Sequence, residues 1–221
     1  MRRVIAATFL SLDGVMQAPG GPEEDPTGNF NHGGWTFNYW DEAMGQVMGK
    51  AFEQPFDLLL GRKTYEIFAA HWPYMPSGDP VAERFNAVTK YVATSSTQPL
   101  TWKNSVALRG NVAAEVAKLK QPDGPNLLLQ GSGQFIQTLL QNDLIDEFRL
   151  LVFPLVLGSG KRLFGSGTKF GGLKLVDSSV SSTGVTMTTY LRSEPLATGS
   201  FAHANPTEAE LARRERMKRE G

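Results

Sequence analysis

The stretch NLLLQGSGQFIQTLLQN, residues 126–142, predicts a buried strand, a tight turn and a helix in direct succession. Residues 127–129 form an unbroken apolar run between Pro125 and Gly131, which is typical of a strand covered on both faces of a sheet. Beyond the turn the apolar side chains recur at helical spacing, at Phe135, Ile136, Leu139 and Leu140. The pattern therefore predicts an α/β unit with its turn at residues 131–133.

The turn itself, Gly131-Ser132-Gly133, is suited to an anion. A strand-to-helix turn directs unpaired backbone N–H groups and the positive end of a helix dipole at one point, and glycine lets a ligand approach the backbone closely. We expect a phosphate there. A second interpretation stays open, because two glycines can simply fit the corner and the third glycine of a full dinucleotide motif is missing.

The same pattern occurs a second time, at residues 57–72. A short apolar strand, residues 57–60, runs into Gly61-Arg62-Lys63-Thr64, and a helix with Tyr65, Phe68 and Trp72 on its apolar side follows. Two cations stand next to this turn. A phosphate-bearing ligand would suit that arrangement, although an exposed turn would also carry such cations.

Strands and helices alternate through the first two thirds of the chain. Further strands are predicted at residues 4–10, 90–94 and 105–108, and helices are predicted to begin near Asn38, Asp79 and Asn111. This alternation indicates a mostly parallel sheet covered by helices on both faces. Residues 147–157, 173–180 and 185–191 are strands without long helices between them, so antiparallel pairing is expected at the C-terminal end.

Residues 15–39 form a long segment without periodicity that carries Phe30, Trp35, Phe37 and Tyr39. Loops of this length in a compact domain are usually lids or binding loops. Because aromatic side chains are costly to leave in water, we expect this loop to pack over another part of the molecule.

Composition excludes several classes of protein. With 41% hydrophobic residues, the 221-residue chain can form a substantial core, and its equal numbers of basic and acidic residues, 22 each, provide no general field for nucleic acid or an anionic membrane. No apolar run is long enough to span a bilayer, and the N-terminus fits a buried strand better than a signal peptide. The absence of cysteine excludes disulfides and fits the cytoplasm. His32, His71 and His203 show no metal-ligand spacing, so no metal is predicted.

Four segments together resemble the dihydrofolate-reductase-like superfamily. They are SLDG at residues 11–14, LLLGRKTYE at 58–66, KYVATSS at 90–96 and the long run from LLLQGSGQF to GKRLF at 127–164. The last is most similar to the branch containing the C-terminal reductase domain of the riboflavin-biosynthesis deaminase-reductase. The resemblance covers about residues 2–192. It implies a dihydrofolate-reductase-like three-layer αβα sandwich over residues 1–195, followed by a charged tail or helix at 196–221.

The resemblance also implies an NADPH cofactor. The turn at Gly61 would face the phosphates, and the hydroxyls after the next strand would approach the adenosine 2′-phosphate. The implied cofactor-binding residues are Ala7, Gly61, Arg62, Lys63, Thr64, Thr94, Ser95, Ser96, Gly131, Ser132, Gly133, Gln134 and Phe135.

Fewer residues indicate where the substrate would bind and react. Asp13 and Asp41 are the candidate catalytic carboxylates, although Asp13 can be a plain turn residue and Asp41 can serve a helix N-terminus. The candidate pocket residues, each of which can equally be core, are Ser11, Trp35, Trp40, Phe68 and Trp72.

We therefore expect a stand-alone NADPH-dependent reductase acting on a small pterin-like or aminopyrimidine-like molecule, similar to 5-amino-6-(5-phosphoribosylamino)uracil reductase. It is expected to be a homodimer formed through its C-terminal strands. The chain lacks the zinc motifs of a fused deaminase, and its loop at 15–39 is longer than that branch leads us to expect, so the pyrimidine substrate is open. The alternatives are a non-catalytic NADPH-binding or nucleotide-binding regulatory protein and a true dihydrofolate reductase.

Overall fold

A computed structural model describes residues 1–169, 171–202 and 204–220. Its centre is an eight-stranded sheet with the strand order β4-β3-β2-β5-β1-β6-β8-β7. The strands are β1 (Val4–Ser11), β2 (Phe56–Gly61), β3 (Lys90–Ala93), β4 (Ser105–Leu108), β5 (Asn126–Leu129), β6 (Glu147–Phe153), β7 (Leu173–Val180) and β8 (Thr186–Arg192).

Six helices and two short 3-10 helices complete the fold. The helices are α1 (Glu42–Glu53), α2 (Arg62–Ala69), α3 (Pro80–Ala87), α4 (Val112–Lys120), α5 (Gly133–Gln141) and α6 (Glu208–Glu220), and the 3-10 helices are Phe37–Tyr39 and Trp72–Tyr74. Asp79 and Asn111 cap α3 and α4 as predicted, because their side chains accept hydrogen bonds from N–H groups of the first turn.

The sheet is mixed, as the sequence predicts. Strands β1 to β6 pair in parallel, whereas β8 runs antiparallel to both β6 and β7. Strand β5 lies between β1 and β2, where Leu128 pairs with Ile5 on one side and Leu58 on the other. The turns that follow β2 and β5 therefore leave the same edge of the sheet as neighbours.

Helices cover both faces, which gives the predicted three layers. On one face, α4 and α5 contribute Val116, Ile136 and Leu139 to the main core cluster. On the other face, Tyr65 of α2 and Phe85 of α3 pack over β2, β3 and β5, and Met44 of α1 packs over β6 and β8. Because both faces of the sheet are buried, the sequences of the central strands are continuous apolar runs.

Three predicted boundaries were wrong. Helix α2 ends at Ala69 and does not include Trp72, which begins the following 3-10 helix. Helix α1 begins after Asp41 instead of after Asn38: the Asp41 carboxylate accepts the Met44 N–H at 3.0 Å, and Asn38 lies in the preceding 3-10 helix. Strand β6 ends at Phe153 instead of extending to residue 157, because Pro154 has no N–H to donate to a sheet ladder.

The C-terminal segment contains a helix without a buried side. All side chains of α6 are exposed or nearly so, and its acidic and basic residues pair with one another at i,i+3 and i,i+4 spacing. Residues 203 and 221 of the predicted tail, the first of which is His203, lie outside the described residues. None of the described helices combines the length and apolar character needed to cross a membrane.

A buried ion pair fastens the start of β1 to the start of β2. The Arg2 guanidinium donates to the Asp57 carboxylate, and the two side chains are only 6% and 12% exposed. Arg2→Met would leave a buried carboxylate without its cation, so we expect the free energy of unfolding to fall by about 3 kcal/mol. Chemical denaturation measures this change.

Lys118→Met is the matched control for this prediction. Lys118 pairs with Glu115 on the surface of α4 and is 72% exposed, so its loss should cost no more than about 0.5 kcal/mol. Equal losses in the two variants would contradict the importance of the buried pair.

Candidate cofactor-binding and active site

The two glycine turns predicted to bind phosphate are in direct contact. The Gly61 N–H donates to the Gly131 carbonyl at 3.2 Å. A Cβ on Gly61 would collide with Ser132 Oγ, and a Cβ on Gly131 would lie 2.7 Å from Thr64 Oγ1. Gly131 also has a φ of +141°, which side-chain-bearing residues rarely adopt. Gly131 therefore requires glycine, and a side chain at Gly61 would displace Ser132.

Helices α2 and α5 begin at these turns without a side-chain cap. Neither Gly61 nor Ser132 makes a side-chain capping hydrogen bond. The first N–H groups of the two helices thus have no capping acceptor and point toward the C-terminal ends of the central strands. The positive ends of both helix dipoles meet there. An anionic ligand would satisfy these donors.

A buried hydroxyl lies on β1 just beyond the end of its pairing with β5. The last pair is Ala6 with Leu129, and Thr8 and Gly131 each lie two residues further along their chains. Thr8 is 5% exposed, and its Oγ1 has no hydrogen-bond partner among the described residues. A buried polar atom without a partner is uncommon and marks a position where a ligand can be recognised.

The hydroxyl segment after β3 is held by two arginines. Thr94 Oγ1 accepts the Ser96 N–H at 3.0 Å, which folds the segment back. Arg62 donates to the Gln98 carbonyl at 3.3 Å, and Arg109, just beyond β4, donates to the Ser96 carbonyl. The sequence analysis did not identify Arg109, although its position after the strand next to β3 was a usable signal.

Four more predicted cofactor residues differ in what they can offer. Ala7 is partly buried on the face covered by α2, and Lys63 is exposed. The Phe135 side chain packs in the main core, so only its backbone N–H could face a ligand. Gln134 is exposed in the first turn of α5, near the start of the helix.

The Asp13 carboxylate is fully engaged in hydrogen bonds. Its two oxygens accept from the Ser11 hydroxyl at 2.6 Å, from the N–H groups of Leu157 and Gly158 at 3.1 and 2.9 Å, and from Arg162 at 3.1 Å. The Ser11 hydroxyl first, then the Leu157 N–H and Arg162, hold the pKa of Asp13 well below its usual range. This geometry argues against Asp13 as a proton donor and makes it an anchor between two loops.

Ser11, a predicted pocket residue, belongs to the same anchor. Its side chain is 1% exposed, and its Oγ accepts the Val15 N–H at 2.9 Å while donating to Asp13. The hydroxyl therefore shapes the turn after β1, and its hydrogen-bonding capacity is largely used within the protein.

Asp41 also has a structural explanation. One oxygen caps α1, and the other accepts from the Ser182 N–H and hydroxyl at 2.8 and 2.7 Å. The Ser182 hydroxyl, together with the Met44 N–H, lowers the pKa of Asp41. The carboxylate thus joins α1 to the turn between β7 and β8.

The predicted pocket aromatics fall into two groups. Trp35 packs edge-on against Phe153 with ring centroids 5.2 Å apart, and half-exposed Trp40 meets Phe9 at 6.2 Å. The other group packs against Phe85 of α3, at 5.8 Å for Phe68 and 5.1 Å for Trp72. The four rings therefore do not line a single wall.

The long loop at residues 15–39 is ordered by its own contacts. Val15, Ala18 and Phe30 form a small buried cluster. This agrees with the expectation that the loop packs over another part of the molecule. Gln17 donates to the carbonyls of Asp25 and Thr27 at 2.9 and 2.8 Å.

Residues 158–162 fasten this long loop to the rest of the protein. Lys161 donates its N–H to Gln17 at 3.0 Å and its ammonium to Asp25, while Arg162 holds Asp13. Met16 reaches the start of α5, where a Cβ on Gly133 would lie 3.6 Å from its Sδ. The loop therefore begins directly at the candidate phosphate site.

The described residues contain no group of three or more histidine, cysteine or acidic side chains that could hold a metal ion.

Comparison with known proteins places this chain in a family. Residues 2–187 match the RibD C-terminal domain. The chain belongs to the RibD C-terminal domain family. The protein YyaP of Bacillus subtilis (strain 168) is 30% identical over 192 residues, which cover 86% of this chain and 94% of YyaP.

Two solved structures show the same fold. A putative riboflavin biosynthesis protein from Shewanella sp. PV-4 is 23% identical with a TM-score of 0.61, covering 87% of this chain and 99% of that one. Dihydrofolate reductase from Enterococcus faecalis, complexed with NADP(H) and RAB-propyl, is 14% identical with a TM-score of 0.55, covering 87% and 97%. The dihydrofolate-reductase-like fold of this RibD C-terminal domain family member is thus confirmed.

The Asp13 anchor generates a stability prediction. Asp13→Asn removes a charged acceptor with four donors. Because a hydrogen bond to a charged group contributes about 1.5–3 kcal/mol, and 1 kcal/mol shifts Tm by about 2–4 °C in a chain of this size, we expect Tm at pH 7 to fall by roughly 3–12 °C. Thermal unfolding followed by circular dichroism measures it.

The pH dependence of this effect has a definite sign. Since the folded-state pKa of Asp13 lies below its ordinary value of 3.8, its stabilisation is present above pH 4 and is lost as the pH falls. Wild type and Asp13→Asn should therefore converge toward pH 2. Glu53→Gln, at the exposed end of α1, should leave Tm unchanged at every pH. A constant difference between wild type and Asp13→Asn would contradict the anchor.

Proposed function

We propose that this protein is an NADPH-dependent reductase that transfers a hydride to a small pterin-like or aminopyrimidine-like molecule. The observation that carries the proposal is the contact between the Gly61 and Gly131 turns, each of which opens a helix without a side-chain cap. Membership of the RibD C-terminal domain family and the reductase fold support it.

The residues at this edge fit the cofactor in three places. The N–H groups at the starts of α2 and α5 would hold the pyrophosphate, because two helix dipoles meet there. Arg62, Lys63 and Arg109, with the hydroxyls of Ser95 and Ser96, would bind the 2′-phosphate. Ala7 would lie near the nicotinamide, on the face of the sheet covered by α2. Bound NADPH supplies the hydride, and the protein orients the acceptor and provides a proton.

The structure argues against a true dihydrofolate reductase but does not distinguish the proposal from a non-catalytic NADPH-binding protein. In a true dihydrofolate reductase Asp41 would have to bind the pterin, yet its oxygens are occupied by Met44 and Ser182. A non-catalytic NADPH-binding protein would keep the same turns and arginines. Turnover with any acceptor separates the second alternative from the proposal.

The binding test is a titration of purified protein with NADPH, followed by nicotinamide fluorescence, and then a screen of pterins, aminopyrimidines, quinones and nitroaromatics for NADPH oxidation. We expect saturable binding in the micromolar range and oxidation with at least one class. Absence of binding at high micromolar NADPH would remove the proposal. Binding without any turnover would favour the regulatory alternative.

Arg109 provides a sharper prediction about cofactor choice. Arg109→Ala should raise the Kd for NADPH at least tenfold and leave the Kd for NADH unchanged, since a charge-assisted contact is worth about 1.5–3 kcal/mol. Fluorescence titration with both cofactors measures the ratio. Lys118→Ala, on the outer surface of α4, is the control. An equal weakening of NADPH and NADH binding would show that Arg109 acts on the fold and not on the 2′-phosphate.

We further propose a cytoplasmic homodimer formed through β7, in agreement with the cysteine-free sequence. All eight residues of this edge strand are exposed, including Leu173, Leu175 and Val176. An exposed apolar edge favours pairing with another strand. An antiparallel copy of β7 would place Lys174 opposite Asp177 of the second copy, so the strand complements itself in charge.

Val176→Lys should convert the dimer to a monomer, because it places a second cation on the edge of the sheet. Analytical ultracentrifugation gives the mass. Val106→Lys is the control, since Val106 is also 46% exposed but lies on β4, the opposite edge strand. A monomeric wild type, or a dimer that survives Val176→Lys, would overturn this assembly.

A further inference from the structure

Strand β1 leaves two of its residues partly exposed, and both lie on the same face of the sheet. These are Ala7 and Phe9, whereas the other six residues of the strand are buried. Because successive side chains of a strand point to opposite faces, residues two apart share a face. Ala7 is the residue implied to lie near the nicotinamide. A ring that receives a hydride beside Ala7 therefore has Phe9 as its accessible neighbour on this strand.

Phe9 and Trp40 form an aromatic surface at this place. The Phe9 ring meets Phe153 and Trp40 edge-on, with ring centroids 5.9 and 6.2 Å apart. Trp40 is 49% exposed. Trp35 donates its indole N–H to the Gln17 carbonyl at 2.8 Å, whereas the indole N–H of Trp40 has no acceptor among the described residues. Trp40 thus offers a ring surface and a hydrogen-bond donor to a ligand.

The start of α1, directly after Trp40, provides no place for an anion. The Asp41 carboxylate accepts from the Met44 N–H and from the N–H and hydroxyl of Ser182, so it already occupies the N-terminal end of the helix. Glu42, the next residue, is an exposed acid. A phosphate at this position would therefore meet carboxylates in place of unpaired N–H groups.

Arg149, the cation that lies opposite Ala7 on β6, is directed away from the cofactor edge. Its Nε donates at 2.6 Å to Glu147, the first residue of β6. Arg149 also lines a small cavity with Phe56 and Asn126, the first residues of β2 and β5. Its guanidinium therefore lies toward the N-terminal ends of the strands, whereas the candidate cofactor site lies at their C-terminal ends.

The remaining anion-binding groups near this edge are already assigned. The starts of α2 and α5 hold the cofactor phosphates in the proposed function. On the side of the long loop, Lys161 and Arg162 pair with Asp25 and Asp13. Among these described groups, none remains to neutralise a phosphate on the acceptor.

We propose that the acceptor is a flat, uncharged ring without a phosphate group that stacks on Phe9 and Trp40, an inference that rests on the proposed function. Stacking suits any flat π system, and the indole N–H of Trp40 favours a ring with a carbonyl or ring nitrogen at its edge. Unphosphorylated pterins, aminopyrimidines and flavins have this chemistry. A phosphoribosylamino-uracil, the substrate of the reductase that the sequence resembles, would bring a phosphate that this surface does not neutralise.

The first test measures binding of a ring without turnover. Riboflavin and FMN carry the same flat ring and differ by one phosphate, and the fluorescence of this ring is quenched when it stacks on an aromatic side chain. Both are titrated against protein saturated with NADP⁺, which occupies the anion-binding edge and cannot reduce a flavin. We expect saturable quenching of riboflavin. The Kd of FMN should be roughly fivefold higher, because like charges close by oppose the phosphate.

The matched variants locate the ring. Trp40→Leu should raise the Kd of riboflavin about 2–10-fold, which corresponds to the loss of one aromatic pair, and leave the Kd of NADPH unchanged. Tyr74→Leu is the control, because Tyr74 is also an exposed aromatic residue but lies on the 3-10 helix beyond α2. It should leave both Kd values unchanged. Lumazine, a smaller uncharged ring, is titrated in the same way so that ring size does not decide the result.

The second test uses the acceptor that is reduced fastest in the screen. Trp40→Leu should raise its KM about 2–10-fold and leave kcat nearly unchanged, because stacking holds the ring equally before and during hydride transfer. Tyr74→Leu should keep the wild-type KM and kcat.

The outcomes separate this inference from the proposed function. Failure of the wild type to bind NADPH removes both. If NADPH binds and FMN binds as tightly as riboflavin, the acceptor site recognises phosphate, and the inference alone is overturned. Absence of quenching with both riboflavin and lumazine, or a riboflavin Kd that Trp40→Leu does not change, has the same meaning. Circular dichroism confirms that each variant is folded.

Discussion

The close approach of β2 and β5 at their C-terminal ends is the constraint on which this structure depends. Because β5 is inserted between β1 and β2, the turns at Gly61 and Gly131 leave the sheet side by side and touch through a backbone hydrogen bond. No side chain fits between them. Two helices therefore begin at one point, and a single arrangement of strands determines both the core and the anion-binding edge.

Much of this could be predicted because the signals are local. Apolar runs such as residues 127–129, followed by glycine and a helical repeat, specify a buried parallel strand without further information. The parallel sheet, its antiparallel C-terminal strands and the caps at Asp79 and Asn111 followed from such patterns. The wrong boundaries have separate causes. Asp41 caps α1 in place of Asn38, Pro154 cannot donate a hydrogen bond to the sheet, and Trp72 continues the apolar side of α2 from a separate 3-10 helix.

The functions of the carboxylates could not be predicted because their partners are distant in the chain. Asp13 is held by residues 157–162, and Asp41 by Ser182, about 140 residues away. A local pattern cannot reveal whether an acid has spare oxygen atoms. The same reason hides Arg109, which meets Ser96 only once β3 and β4 are paired.

The loop at residues 15–39 has a thermodynamic consequence. Ordering a flexible residue costs about 1–2 kcal/mol of backbone entropy, and a mobile lid would incur that cost each time a ligand bound. Here the cost is met during folding, through the cluster around Phe30 and the contacts of Lys161 and Arg162. The segment is therefore preorganised, and more of the free energy of association remains for recognising the bound molecule.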